Sequence, residues 1–270
     1  MHYVDEGSGP PILAVHGNPT WSFYWRTLVS HMSTSHRVIA MDHIGMGLSD
    51  KPTLSQYPFT LERRIDDLTQ FIDAMEIDEP ITLVVHDWGG AIGCGWAGQN
   101  PGRVANLVIT NTAAFGLPST KAMPTLLAAA RSKGLGEASV LYGNAFVRGA
   151  LRIGTVKKMD AVTRAGFLAP YDSPRHRRAV LEFVKDIPFS SSHGSYSALE
   201  KVAESLAHLA GIPTLILWGA RDFVFDDYFL DKWKLCFPDA VVHRFEDSGH
   251  FVLEDAADRM LPLIAEFLGS

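Results

Sequence analysis

Short apolar runs recur along this sequence and constrain its fold more than any other feature. They alternate with longer stretches of helical periodicity, which is typical of a mostly parallel sheet with helices on both faces. Strands buried on both sides are apolar throughout instead of alternating between apolar and polar residues. The predicted strands of this kind are 12–16, 37–42, 81–87, 105–111, 214–219 and, with more polar interruption, 240–246.

Two further segments complete the core of the predicted fold. Residues 2–6 have the pattern of a strand, and the Gly- and Pro-rich residues 7–11 after it suggest a hairpin onto the next strand, 12–16. The clearest helix is predicted over 59–76, where apolar residues recur at steps of three and four and form one stripe.

The sequence changes character after about residue 115. Between 116 and 210 no run is convincing as a strand, and prolines and glycines interrupt the helical segments. We therefore predict a helical cap over 116–210, inserted into a core domain formed by 1–115 and 211–270. The insertion leaves from the carboxyl end of strand 105–111, at the edge where open α/β sheets have their ligand crevice.

The composition excludes several classes of protein. Of 270 residues, 47% are hydrophobic, and a net charge of −6 without a block of Lys or Arg argues against a nucleic-acid partner. The N-terminus lacks the basic and apolar regions of a secretory signal, and no apolar run is long enough for a membrane helix. Cys94 and Cys236 match no disulfide framework or metal site, so we interpret both as core residues. We expect a cytoplasmic enzyme without metal or cofactor, whose oligomeric state stays open.

Three predicted strand ends carry the residues that point to chemistry. Asp87 lies in VHDWGG, on a sharp turn from strand to helix, where esterases of the α/β-hydrolase arrangement have a serine nucleophile. Asp222 follows strand 214–219, and His250 follows strand 240–246. Each residue alone is weak support, because an Asp at a strand end is often a helix cap. Nucleophile, acid and histidine in this chain order favour a catalytic triad.

A loop near the N-terminus supplies a further part of the predicted site. In this arrangement the backbone N–H of Asn18, in the sequence HGNP, and that of Trp88 form the oxyanion hole. We interpret His16 as a residue that braces this loop and His86 as a buried, hydrogen-bonded neighbour of the site. His43 lies in a Gly-rich turn without the spacing of a dinucleotide site.

Several segments resemble one family closely, namely HGNPTWSFYWR, DHIGMGLSDKP, VVHDWGG, GARDFVFD and SGHFVLED. They resemble the haloalkane dehalogenases of the α/β-hydrolase fold and their relatives, the β-lactone decarboxylases of olefin biosynthesis. The resemblance implies a mostly parallel sheet with an inserted helical cap. It also implies Asp87 as nucleophile, His250 as base, Asp222 as its acid partner, and the side chains of Asn18 and Trp88 as the leaving-group clamp. The family has another strand before 2–6, so either the sheet has seven strands or the natural start lies upstream.

The resemblance predicts a two-step reaction on a small apolar substrate. Asp87 displaces halide from an alkyl halide, Asn18 and Trp88 bind the halide, and water activated by His250 hydrolyses the alkyl-enzyme ester. The alternative is decarboxylation of a β-lactone by the same residues, and several of the motifs are close to that branch.

Three other functions are weaker alternatives. An epoxide hydrolase would carry an aromatic residue in place of Asn18 and two cap tyrosines, for which Tyr142, Tyr171 and Tyr196 are candidates. An esterase would need Ser or Cys at position 87, and a binding protein would not need all five functional residues. The candidates for the apolar wall of the site are Phe115, Leu117, Phe146, Val147, Phe167 and Leu168.

Overall fold

The computed structural model describes residues 1–116 and 123–270. Its strands form one sheet in the order β1-β3-β2-β4-β5-β6-β7, in which every neighbouring pair is parallel except β1 with β3. The strands are β1 Tyr3–Glu6, β2 Pro11–Val15, β3 Arg37–Met41, β4 Ile81–Asp87, β5 Val104–Thr112, β6 Thr214–Gly219 and β7 Val241–Phe245. Each corresponds to a strand predicted from the sequence, and the predicted fold class is confirmed.

Helices cover both faces of this sheet. They are α1 Arg26–Met32, α2 Leu61–Ala74, α3 Trp88–Gln99, α4 Thr125–Arg131, α5 Leu135–Leu141, α6 Ala145–Ile153, α7 Ala161–Leu168, α8 Arg178–Lys185, α9 Tyr196–Ser205, α10 Asp227–Cys236 and α11 Val252–Leu268. Helix α2 is the one predicted over 59–76, and the hydroxyl of Thr60 caps its first turn. In the described part of the chain, no helix combines the length and the apolar character that crossing a bilayer requires.

The predicted hairpin between β1 and the next strand is wrong. Strand β1 pairs antiparallel with β3, because β2 already has β3 on one side and β4 on the other. Residues 7–10 therefore cross over the start of β3 instead of turning back. This crossing is close: a Cβ on Gly7, which has φ +85°, would lie 2.2 Å from the carbonyl oxygen of His36.

The last strand differs from the prediction in its burial. Strand β7 is parallel to β6, as expected, but it lies at the edge of the sheet and is only partly buried. Val241 is 49% exposed, and Phe245 is the one fully buried residue of the strand. The polar interruption that the sequence shows at 240–246 reflects this edge position.

Six helices, α4 to α9, follow one another between β5 and β6, and residues 123–210 contain no strand. Their contacts with the rest of the protein vary. Helix α9 packs against α3, where Gly95 and Gly98 allow the close approach of Val202 and Ser205. Helices α4 and α6, and Leu199 of α9, contribute to the wall of the cavity described below. The division into a core and a cap over 116–210 stays a proposal.

Helix α3 lies unusually close to strand β2. A Cβ on Gly89, in the first turn of α3, would lie 2.0 Å from the carbonyl oxygen of Val15. Backbone atoms cannot make room for it, so a side chain here would push the helix away from the sheet. This close packing places the start of α3 directly beside the loop that follows β2.

We therefore expect Gly89→Ala to lower the free energy of unfolding by about 1–3 kcal/mol, the usual cost of an overpacked core. The measurement is urea denaturation followed by circular dichroism. Gly102→Ala is the matched control, because nothing lies within 4 Å of a Cβ at that position. An equal loss of stability in both variants would contradict the packing argument.

Candidate active site

Asp87 stands at the carboxyl end of β4 in a strained backbone conformation, with φ 51° and ψ −124°. Its carboxylate oxygen Oδ1 accepts a hydrogen bond from the backbone N–H of Asn18 at 2.6 Å, and the backbone N–H of Trp88 also donates to the carboxylate. The other oxygen, Oδ2, lies 3.6 Å from Nε2 of His250. The two oxygens therefore have different surroundings: Oδ1 accepts from the backbone N–H of Asn18, and Oδ2 faces the imidazole of His250.

The surroundings of Asp87 act on its pKa in opposite directions. Burial raises the pKa, because it disfavours the charged form. The facing imidazole of His250 and the two backbone N–H groups lower it, but burial prevails and the pKa lies above its ordinary value. The desolvated carboxylate is a stronger nucleophile than a hydrated one.

His250 is held between the two carboxylates. Its Nδ1 lies 2.8 Å from Oδ2 of Asp222, and its Nε2 faces Asp87. Burial lowers the pKa of His250, but the carboxylates of Asp222 and Asp87 outweigh it, so the pKa lies above its ordinary value. The three residues named from the sequence thus meet at one point, from the ends of three strands.

Asn111 is a member of this cluster that the sequence analysis missed. Its Nδ2 donates to Oδ2 of Asp222 and to the carbonyl oxygen of Gly219, both at 3.0 Å, and its Oδ1 accepts from the N–H of Gly219 at 2.7 Å. The backbone N–H of Val224 donates to the other oxygen of Asp222 at 2.7 Å. Asn111 therefore fixes both the carboxylate of Asp222 and the end of β6 that carries it.

Asp255 is a second residue without an assigned role in the sequence, although it belongs to the motif SGHFVLED. Its buried carboxylate accepts hydrogen bonds from the backbone N–H groups of Gly249, Val156 and Lys157, at 2.8 to 3.1 Å. These donors come from the His250 loop and from the segment after α6. Asp255 thus joins the loop that carries the histidine to the helices between β5 and β6.

The side chains of Asn18 and Trp88 line the same cavity as Asp87 and His250, whereas Asp222 lies behind the histidine. Nδ2 of Asn18 donates to the carbonyl oxygen of Val180 at 3.1 Å, which uses one of its two hydrogens. No described residue accepts a hydrogen bond from the indole N–H of Trp88. Two neutral side-chain donors therefore border the carboxylate of Asp87, each with an N–H that no described residue accepts.

The cavity beside Asp87 has a volume of about 120 Å³. Its wall is almost entirely apolar. Of the candidates from the sequence, Phe115 and Phe146 line it, whereas Val147, Phe167 and Leu168 are not among the described lining residues. Leu117 lies outside the described residues.

The remaining histidines near the site are structural. His16 and His43 hydrogen-bond each other's backbone and side chains, and Nε2 of His86 lies 2.8 Å from the carbonyl oxygen of His250. Burial lowers the pKa of all three. They are therefore neutral at pH 7, as expected for residues that brace loops.

The sheet order and the three strand ends together define an α/β hydrolase, and a model of the alpha/beta hydrolase fold matches residues 10–257. The chain belongs to this family.

The cis-3-alkyl-4-alkyloxetan-2-one decarboxylase of Shewanella oneidensis is 47% identical over 269 residues, which make up 99% of this chain and 85% of that protein. Haloalkane dehalogenase 2 of Mycobacterium tuberculosis H37Rv is 32% identical over 271 residues, with 100% and 91% covered. The crystal structure of a haloalkane dehalogenase from Agrobacterium tumefaciens C58 superposes with a TM-score of 0.89 at 27% identity, covering 99% of this chain and 92% of that one.

We expect Asn111→Ala to lower the free energy of unfolding by roughly 1–3 kcal/mol, because it leaves the buried backbone groups of Gly219 unpaired. Turnover should fall as well, since the carboxylate of Asp222 loses a fixed donor. Denaturant titration and steady-state assays measure the two effects. Asn106→Ala, on the same strand, removes a partly buried amide that donates to Thr82 and serves as control. If the two variants lose equal stability and activity, Asn111 has no special role.

Proposed function

We propose that this protein is a decarboxylase of cis-3,4-dialkyl β-lactones, which it converts into a cis-alkene and CO2. The observation that carries the proposal is the difference in identity between relatives: 47% with a cis-3-alkyl-4-alkyloxetan-2-one decarboxylase against 32% with a haloalkane dehalogenase. The apolar wall of the cavity around Asp87 supports it, because the two alkyl groups of such a lactone need apolar surroundings.

In the first proposed step, Asp87 opens the lactone ring. Its Oδ2 attacks C4, the sp³ carbon that carries the ring oxygen, and forms an ester bond while the C4–O bond breaks. The electron pair of that bond goes to the ring oxygen, which becomes part of a carboxylate still attached to C3. The side-chain N–H groups of Asn18 and Trp88 would receive this charge, as neutral donors in an apolar site.

In the second proposed step, the adduct on Asp87 collapses. The bond between C3 and the carboxylate breaks and releases CO2, and its electron pair forms the double bond between C3 and C4. The C4–Oδ2 bond breaks at the same time and restores the Asp87 carboxylate, so no water is consumed. Inversion at C4 followed by anti departure of the two groups converts a cis-lactone into a cis-alkene.

His250 has a different task in this scheme from its task in a hydrolase. A hydrolase needs the neutral imidazole to activate water. In the decarboxylase the protonated imidazole, paired with Asp222, faces the oxygen of Asp87 to which negative charge returns in the second step. The raised pKa of His250 favours that protonated form.

Dehalogenation is the second candidate function. It was the main expectation from the sequence, and the relatives favour the decarboxylase over it. The two donors, Asn18 and Trp88, support dehalogenation, because a departing halide needs the same kind of hydrogen-bond donors.

Epoxide hydrolysis has less support than either. Of the three candidate tyrosines, Tyr142 is 74% exposed, and the hydroxyl of Tyr171 donates to the carbonyl oxygen of Thr20. None of the three is among the described residues that line the cavity.

The proposal predicts that purified protein forms alkene from a long-chain cis-3,4-dialkyl β-lactone over many turnovers. Gas chromatography with mass spectrometry measures the alkene, and bromide release from a 1-bromoalkane is measured in parallel. Asp87→Asn, which is isosteric but not nucleophilic, should abolish both reactions. Faster release of bromide than of alkene, or conversion of the lactone to β-hydroxy acid alone, would refute the proposal.

The two functions also predict different alkaline limbs in their pH profiles. Decarboxylation should fall as pH rises through the raised pKa of His250, because the imidazolium is lost. Turnover of a bromoalkane should not fall there, since its hydrolytic step needs the neutral imidazole. Both should fall at low pH as Asp87 is protonated, at a pH above the ordinary range for Asp because burial raises its pKa. A lactone profile that stays flat on the alkaline side would rule out a role for protonated His250.

A further inference from the structure

The adduct that the proposed function forms on Asp87 has two chemical fates. It can lose CO2, or water can attack its ester carbonyl carbon. The residues for the second route are complete, because His250 faces Asp87 and hydrogen-bonds Asp222 at 2.8 Å, while elimination needs no activated water. In protein molecules whose His250 is neutral, the product therefore depends on whether water reaches Nε2 of this imidazole.

Aromatic rings surround the imidazole of His250. The ring of Phe225 stacks on it with centroids 5.8 Å apart and an interplanar angle of 26°. Phe223, Phe251 and the buried ring of His86 contact it at centroid distances of 6.2, 5.2 and 4.7 Å. Phe251 and His86 are fully buried, whereas residues 223–225 line the cavity together with His250.

The position of Phe225 is tied to the acid of the triad. The backbone N–H of Val224 donates to Oδ1 of Asp222 at 2.7 Å, and the N–H of Arg221 donates to the carbonyl oxygen of Ser248 at 2.9 Å. On its far side, Phe225 contacts the ring of Phe229 in α10, edge to face at 5.1 Å. The ring is therefore fixed relative to His250 by the same loop that orients Asp222.

We propose that Phe225 determines the product: its ring excludes hydrolytic water from His250, so that the adduct loses CO2 instead of being hydrolysed. This inference rests on the proposed function. The suppressed reaction is hydrolysis of the ester bond to Asp87. Water adds through its oxygen to Cγ of Asp87 and gives one proton to His250. The tetrahedral intermediate then breaks its bond to the alkyl oxygen, which takes that proton, and a β-hydroxy carboxylate leaves. Asp87 loses the second proton of the water to solvent and is a carboxylate again.

The test compares Phe225→Ala with wild type on a cis-3,4-dialkyl β-lactone and measures both alkene and β-hydroxy acid. The ratio of β-hydroxy acid to alkene should rise by roughly tenfold or more in the variant, because water gains access to the reaction. Phe146→Ala is the matched control: it removes the same atoms from the same cavity, at a ring with no contact to His250. Its product ratio should stay that of wild type.

Phe225→Leu keeps an apolar side chain and should give an intermediate ratio. It replaces the alanine variant if that one does not fold.

A double variant tests whether His250 is the base that activates this water. Adding His250→Phe to Phe225→Ala should remove the β-hydroxy acid, because the water then has no base. If the Phe225 variants yield alkene alone, or if Phe146→Ala raises the ratio equally, the role of Phe225 is overturned. A wild-type protein that makes no alkene at all refutes the proposed function instead, so the two failures are distinguishable.

Discussion

The backbone conformation of Asp87 is the constraint on which the rest of the site depends. A residue other than glycine at a φ of 51° stores about 1–3 kcal/mol of strain, which the surrounding structure has to hold in place. Gly17 and Gly89 make this possible, because a Cβ on either would collide with the Asp87 side chain or with the backbone of β2. The same close approach brings the N–H of Asn18 to Oδ1. The strained backbone, the two glycines and the backbone N–H of Asn18 together hold Oδ1 of Asp87 in a hydrogen bond, while Oδ2 faces His250.

The charged groups of the site are buried together, and their hydrogen bonds make this tolerable. Buried charges destabilise a protein unless their lone pairs and protons find partners. Asp222 has three, namely His250, Asn111 and the N–H of Val224, and Asp87 has its two backbone donors. All this polarity lies at one end of an apolar cavity. A substrate can therefore be oriented by its reacting carbon alone, while its alkyl groups meet only apolar walls.

The sequence predicted those parts of the molecule that follow from local rules. Asp87 ends β4, Asp222 follows β6 and His250 follows β7, so the parallel sheet brings the three residues to one edge, and their meeting could be foreseen. Asn111 was missed because an asparagine at a strand end looks like turn chemistry, and its partner Gly219 is distant in sequence.

The errors have physical causes of the same kind. The pairing of β1 depends on which edge of the sheet is free, and the exposure of β7 depends on its being last in the sheet. Neither is a property of the strand's own residues. Phe225 was visible in the motif GARDFVFD, but only its distance to His250 gives the ring a chemical meaning.

The chemistry of the two candidate reactions explains why the motifs do not separate them. Both begin with the attack of Asp87 on an sp³ carbon, and both need donors for the departing charge. A halide then diffuses away, and only water can free Asp87 from the adduct. The carboxylate of an opened lactone stays attached to the neighbouring carbon, and its loss as CO2 supplies the electron pair that expels Asp87. The fate of the adduct therefore depends on the substrate and on water access, which are properties of apolar walls and not of the residues that carry the motifs.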